Sequence, residues 1–487
     1  MSVRSDSLMR IADRFKTVLQ IGHALYARRV NVKVCDDDNN EYASIDMPYE
    51  RVDFDPLQTV EGFVEVFQES GASWRARTLA AFWLKLGSLV KNSKEQARKL
   101  LEHDDALNLV MTRTKMRVAS MNGASLTALA RGLQFLQNVN LHNENVWRFD
   151  NDVWERISDN VVANVTTLDH LALSGIAGIY ADENMYYGYE ALFQQVAAEA
   201  GFTIDTFSMR SLVAIARAYA KIEHRNLALF FDITRKFVKD INKADPVSLA
   251  SMAYSCAKAM YKDDELFLAI GRNAIGKLHS FEEHSLCSLA WAFAAANVFS
   301  PALFKDSTAF VDRCVQLFLN NKLTVKGMSQ LHLWSLWIST EIPEAGGKTF
   351  RDARDANNGN RLRDACLVRF KAVSGTGTPS YLQKQVEDAL KTLVPTVKRE
   401  AVLEDIGYSV DALCMTSKGR TIAVDVDGPW HFLRYAEETP NAKTVLKRRL
   451  MHQNAREFVS VGYREWDGMQ TFQEKRSYLR YKLGLGN

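Results

Sequence analysis

Ser211-Leu-Val-Ala-Ile-Ala-Arg-Ala-Tyr-Ala-Lys221 returns 37 residues later as Ser248-Leu-Ala-Ser-Met-Ala-Tyr-Ser-Cys-Ala-Lys258, and after a further 37 as Ser285-Leu-Cys-Ser-Leu-Ala-Trp-Ala-Phe-Ala-Ala295. Ungapped copies at one period mark a repeat architecture, in which each unit buries its apolar face only against the next. The apolar residues stand one, four, five, eight and nine places after the serine, as Leu212, Ile215, Ala216, Tyr219 and Ala220 do in the first copy. That spacing covers one face of an α-helix. A second amphipathic stretch follows each copy, at Leu227 to Ile241 and Glu265 to Leu278, so each unit reads as a helix pair. Looser copies begin at Leu79, Leu126, Leu173 and Met328, which gives about seven units and predicts an α-solenoid over residues 71–340.

The opposite stripe of each helix holds the residues one before and three, six and ten after the serine. In the three clear copies these are Arg210, Val247 and His284; Ala214, Ser251 and Ser288; Arg217, Tyr254 and Trp291; Lys221, Lys258 and Ala295. Cations and flat rings at positions free of packing duties suit phosphates and unpaired bases. Arg210, Arg217, Lys221, Tyr254, Lys258 and Trp291 are therefore candidate RNA contacts. Two other readings stand beside this one: Tyr254 and Trp291 pack into the next helix layer, or the solenoid binds a protein.

Composition bounds the rest. Over 487 residues, 47% hydrophobic and 24% charged side chains describe a folded protein, and only 9 prolines and 25 glycines exclude collagen-like or low-complexity architecture. The six cysteines (Cys35, Cys256, Cys287, Cys314, Cys366 and Cys414) show no zinc spacing and read as reduced thiols of an intracellular or matrix compartment. Ser285 to Phe304 is uncharged, but Asn297 and Pro301 make it a helix running into a loop rather than a membrane span, and no membrane partner is expected. Residues 1–70 read as a helical or irregular N-terminal region. Arg4, Arg10, Arg14, Arg28 and Arg29 give its start the look of an organellar transit segment, against which stand Asp6 and Asp13. Neither a G-x-x-x-x-G-K-[ST] phosphate loop nor a G-x-S-x-G nucleophile elbow occurs.

Charge is uneven. From Asn441 to Asn487 ten basic residues face four acidic ones, a net of +6, which leaves −3 for the rest of a chain whose total is +3. A local cationic excess of this kind is an electrostatic footprint for a polyanion. The repeat pattern breaks before it. Ala345-Gly-Gly347, Asn357-Asn-Gly-Asn360 and Val373-Ser-Gly-Thr-Gly-Thr-Pro379 are turn chemistry, so residues 341–379 read as a linker. Residues 380–487 then read as helix, three strands (Thr396 to Leu403, Tyr408 to Cys414, Thr421 to Val426), a basic helix (Lys443 to Arg456), a strand (Glu457 to Tyr463) and a final helix.

Four ordered blocks in this last segment carry a family resemblance. Ile422-Ala-Val-Asp-Val-Asp-Gly-Pro-Trp-His-Phe432, Thr444-Val-Leu-Lys-Arg-Arg-Leu450, Phe458-Val-Ser-Val-Gly-Tyr-Arg-Glu-Trp-Asp467 and Glu474-Lys-Arg-Ser-Tyr-Leu479 resemble the successive blocks of a RAP domain. Such domains end organellar helical-repeat proteins of the FAST kinase-like, octotricopeptide and heptatricopeptide families, and the 37-residue period is closest to the heptatricopeptide type. The resemblance implies a mostly α protein, with the solenoid followed by a small α/β domain of restriction-endonuclease-like fold. It also implies binding of organellar RNA, single-stranded or terminal. Its sharpest version is mitochondrial rRNA held within a mitoribosome or another RNA–protein complex in the matrix. Messenger RNA, a role in transcript stabilisation and processing, and a plastid location are the alternatives. No kinase activity follows from the family name.

In the related nucleases two strand carboxylates hold Mg²⁺ and a lysine two residues later activates water. Asp411 and Asp425 occupy the carboxylate positions here, but Asp427 stands at the lysine's, with His431 four residues on. The expectation is therefore a protein that binds RNA without a cofactor or resident metal and is not an enzyme. Mg²⁺-dependent RNA cleavage through Asp411, Asp425, Asp427 and His431 is one rival, and a protein-binding scaffold is the other. Under the binding reading, Lys443, Lys447, Arg448, Arg449 and Arg456 meet phosphates while Trp430, His431, Tyr463 and Trp466 meet bases. Because Arg448 and Arg449 are adjacent on a helix, one of them is expected to pack against the sheet.

Overall fold

The computed structural model describes residues 52–487 apart from 142–143, 146–150, 182–187, 306–307, 343–349, 375–378, 435, 456 and 487. The arginine-rich start of the chain, Ala345-Gly-Gly347 and Arg456 therefore lie outside the described residues. The solenoid is present. Seven first helices, Ala76–Lys91, Gly123–Gln137, His170–Tyr180, Met209–Lys221, Pro246–Lys258, Glu283–Ala296 and Val325–Thr340, stack in sequence order as one layer. The second helices from Asn151–Ala163 through Glu190–Phe202 and Leu227–Lys239 to Asp264–Ile275 stack as the other. Val60–Ser70 closes the start, where Phe54, Phe63, Trp74 and Phe82 meet ring to ring at 5.4 to 5.9 Å.

Each unit is built by the same local rules. Asn122, Asp169, Ser208, Asp245 and Thr324 cap first helices by accepting from the backbone N–H three residues on, a contribution of about 1 kcal/mol each. The buried Tyr180 and Tyr219 hydroxyls donate to the carbonyls of Trp154 and Phe193, tying a first helix to the preceding second helix. After three successive first helices the chain turns through a left-handed residue, Glu223, Met260 and Asn297 at φ of 58°, 56° and 52°. Asparagine tolerates that conformation best, and Asn297 Oδ1 also accepts from Trp337 Nε1 at 2.8 Å. Where Ala76–Lys91 crosses Gly123–Gln137, Gly132 is required because a Cβ there would strike the Trp83 carbonyl.

The linker reading of residues 341–379 is corrected. Ala356–Val373 is an 18-residue helix that packs on both Val325–Thr340 and Ala309–Leu319 and completes the seventh pair. Asn357-Asn-Gly-Asn360, read as a turn, is its first turn, capped by Asp355. The polar residues that mark a turn also serve a helix start.

Beyond it, strands Thr396–Val402, Ser409–Met415, Thr421–Asp427 and Phe458–Gly462 form one sheet in that order. The first three pair antiparallel and the last two parallel, which requires the crossover helix Ala442–Asn454. Ile422, Val424 and Val426 pack with Val386, Leu390, Trp466 and Leu479 of helical segments on one face. Alternation sends Asp425 and Asp427 to the other face, toward the crossover helix. That helix also packs on Pro246–Lys258, Glu283–Ala296 and Val325–Thr340, so it lies between the sheet and the first-helix layer. A short hairpin, Phe432–Leu433 with Ala436–Pro440, and the helix Tyr463–Asp467 are additions the sequence reading did not contain.

No described helix is long and apolar enough to cross a membrane; Ser285 to Phe304 falls on a first helix and the helical turn Pro301–Phe304. The five described cysteines are buried and free, and burial pushes the Cys366 thiol up to about 12 and that of Cys414 to about 11.

Candidate nucleic-acid interface

The stripe identified in the sequence lines a continuous surface on the first-helix layer. Arg131, Leu171, Gly175, Gly178, Arg210, Ala214, Arg217, Lys221, Tyr254 and Lys258 border a groove. All stand at the repeat positions one before, three, six or ten after the serine or its counterpart in their own unit, which is why they share a face. Arg210, Arg217 and Lys221 are exposed. Arg131 is half-buried, donates to Gln134 Oε1 at 2.8 Å, and has its pKa lowered by loss of solvent.

The groove runs into a cavity of 860 Å³ that shares Tyr254 and Lys258 with it. Trp291, Lys326, Gln330 and Leu333 line the first-helix side, and Tyr408, Asn441, Lys443 and Lys447 line the C-terminal module's side. Tyr254 and Trp291 meet at 4.9 Å between ring centroids. The packing reading holds for Trp291, which is buried at 8% exposure, and both rings border the cavity. Arg131 and Lys326 escaped the sequence reading. The signal was available, because carrying the repeat phase into the looser copies at Leu126 and Met328 places them six after and one before the serine's counterpart.

The C-terminal module departs from expectation. Lys447 pairs with buried Asp425 at 2.5 Å, and Arg448 with buried Asp427 at 2.6 Å. Arg449 turns the other way, to Glu341 at 3.1 Å and to the carbonyls of Ala294 and Ala295 at 2.6 and 3.1 Å. Arg448 therefore packs against the sheet, but Arg449 is an anchor to the solenoid rather than a free phosphate contact. The cationic helix read as a polyanion grip is largely neutralised from within, because its faces are covered by an acidic strand and by helix C-termini. Lys443 is exposed and has no acidic partner among the described residues. Trp466 is corrected as well: it is 1% exposed, and its Nε1 donates to Gln385. Tyr463 packs half-buried on Phe432, whereas Trp430 is 75% exposed beneath the Arg434 guanidinium.

The carboxylates do not assemble a metal-holding set. Asp411 accepts from Gln383 Nε2 at 2.5 Å and from the Val426 backbone N–H at 2.6 Å. Burial pushes Asp425 up to about 6 against the pull of Lys447, and its Oδ1 is buried without a hydrogen-bond partner. Burial would also raise Asp427, but hydrogen bonds from His431, Ser460 and Arg448 outweigh it and hold this carboxyl well below the usual range. His431 Nδ1 lies 2.7 Å from Asp427 Oδ1, across the Gly428–Pro429 turn. Among the described residues no group of three or more His, Cys, Asp or Glu is placed to hold a metal ion. With Lys447 on Asp425, Arg448 on Asp427 and a backbone N–H on Asp411, the donor set does not fit Mg²⁺.

Comparison with known families agrees with this architecture: residues 424–482 match the RAP domain model. The C-terminal module contains a RAP domain. A "RAP domain-containing protein, chloroplastic" from Oryza sativa subsp. japonica is 33% identical over 106 residues, a stretch covering 22% of this chain and 16% of that protein. The likeness reaches only a small part of either chain. At the junction with the C-terminal module, His332 of the last first helix meets the Ile406 carbonyl through Nε2 at 2.8 Å. Phe370 touches both the His332 and Tyr408 rings, at 4.8 and 5.0 Å. The solenoid and the RAP domain thus meet through a packed junction.

Proposed function

We propose that the protein is an organellar RNA-binding protein that holds single-stranded RNA along its first-helix layer, with the RAP domain as the wall at the end of the track. The observation that carries this is the groove itself, bordered by Arg210, Arg217, Lys221, Lys258 and Tyr254 and continuous with the cavity at the RAP domain. The cations grouped on Met209–Lys221 and at Lys258, beside small residues, suit a run of phosphates, and the aromatic pair at the far end suits a base. Mitochondrial rRNA in a ribosomal particle is the finer form, with transcript stabilisation or processing and a plastid location as its alternatives. The role is binding rather than catalysis, and the internal pairing of Asp425 and Asp427 supports that choice over cleavage.

Crosslinking in the native organism followed by sequencing of bound RNA tests the proposal. Discrete organellar fragments that disappear with Arg210→Glu and Arg217→Glu are expected. Full recovery of RNA by that variant would remove the groove from the site, and no enrichment with wild type would favour the protein scaffold. An assay for Mg²⁺-dependent cleavage with wild type and Asp425→Ala separates the nuclease reading, since activity lost in the variant would establish it.

A further inference from the structure

The groove does not pass through the molecule along the whole first-helix layer. At Pro246–Lys258, Glu283–Ala296 and Val325–Thr340 the RAP crossover helix lies on that layer, and Arg449 fixes it there through Glu341 and two helix-end carbonyls. What remains in front of the blockage is the 860 Å³ cavity. Its size is on the scale of sites for one compact ligand, about 300–1,000 Å³, and too small for a duplex. Its walls have two chemistries. Tyr254 and Trp291 supply adjoining rings, while Lys258, Lys326, Lys443 and Lys447 bring ammonium groups from both the solenoid and the RAP domain, with Glu223 as the one acidic residue on the lining among the described residues. Lys447 is already engaged by Asp425. Lys326 and Lys443 are exposed and have no acidic partner among the described residues.

Resting on the RNA reading, we infer that this cavity is an end pocket. It takes the last nucleotide of a strand lying in the groove and pairs a terminal phosphomonoester with Lys326 and Lys443 while the base meets the Tyr254–Trp291 pair. A terminal monoester carries up to two negative charges, whereas an internal diester carries one, so two lysines from opposite walls discriminate an end from a passing backbone. The shared entrance at Tyr254 and Lys258 makes the ligand a strand end rather than a free nucleotide, because the occupant continues into the groove.

The test uses the full chain and one RNA sequence in four forms: 5′-phosphorylated, 3′-phosphorylated, hydroxyl at both ends, and covalently circular. Affinities are read by fluorescence anisotropy for wild type and for Lys326→Ala/Lys443→Ala, whose exposed positions leave the core untouched. The expected result is that one phosphorylated form binds about tenfold tighter than the hydroxyl-ended and circular forms, and that the advantage vanishes in the variant. Which form wins assigns the end. Equal binding of all four forms overturns the end pocket while leaving the groove reading intact, and an advantage that survives in the variant overturns it too. Failure of every form to bind would instead remove the RNA reading on which it rests.

Discussion

Replacing Arg449 by alanine separates two descriptions of the same residue. As a phosphate contact it would leave stability alone and lower RNA affinity. As the anchor seen here it donates to Glu341, Ala294 and Ala295 at once. Its side chain is 23% exposed and that of Glu341 only 9%, so deleting the arginine strands a nearly buried carboxylate, takes the guanidinium from the Ala295 carbonyl and leaves that of Ala294 with the Asn297 N–H alone. Breaking one side of a buried pair costs about 3–5 kcal/mol. Equilibrium urea unfolding, followed by circular dichroism and by tryptophan fluorescence, is the assay. Arg449→Ala should lose stability in that range, and Arg449→Lys should recover only part because an ammonium cannot reproduce the fork. Arg449→Leu combined with Glu341→Leu should recover most of the loss, since no charge is then stranded. If Arg449→Ala unfolds at the wild-type urea concentration while RNA affinity falls, the anchor argument is wrong.

Four other outcomes are expected. Gly132→Ala forces a methyl into the Trp83 carbonyl, and overpacking of this kind should cost about 1–3 kcal/mol in the same unfolding assay. Gly178 has open space where a Cβ would stand and borders the groove, so Gly178→Glu should weaken RNA binding with an unchanged melting temperature. Neutralising Arg210, Arg217 and Lys221 together should flatten the log–log salt dependence of single-strand binding by about 2, from roughly 0.7 per phosphate contact. The two buried aspartates should titrate with opposite effect. Asp425 is raised from 3.8 to about 6 on folding, so its stabilising contribution, present at lower pH, is lost as pH rises through about 4 to 6, and Asp425→Asn should remove that decline. Asp427 is depressed, so its contribution is present above the ordinary carboxylate range and is lost in stronger acid; Asp427→Asn should flatten the acid limb.

The solenoid was legible because helix spacing and repeat period agree: the apolar set from Leu212 to Ala220 fixes both the helix and its buried face. The strands of the RAP domain were legible from apolar alternation within a residue or so of their ends, as at Thr421–Asp427. What failed has one physical origin. A charge count along the chain cannot reveal which acids fold onto which bases, and Glu341 lies 108 residues from Arg449. The +6 of the last segment thus overstates the free charge of the RAP helix, where Lys447, Arg448 and Arg449 are all paired, although the repeat stripe already held Arg210, Arg217 and Lys221. Trp466 misled for a similar reason, since sequence places it beside the basic helix while the sheet core takes its ring.

The 37-residue phase shared by Glu223, Met260 and Asn297 gives the protein the character of a ruler. Because the Met209–Lys221 and Pro246–Lys258 units repeat the same N-cap and exit turn, copying one of them into the middle of the array would lengthen the open track by one helix spacing, about 8–10 Å. The closed end would stay fixed, held by contacts that belong to the final units alone. Reach and stop are therefore set by separate parts of the chain, and the first can change by whole steps without disturbing the second.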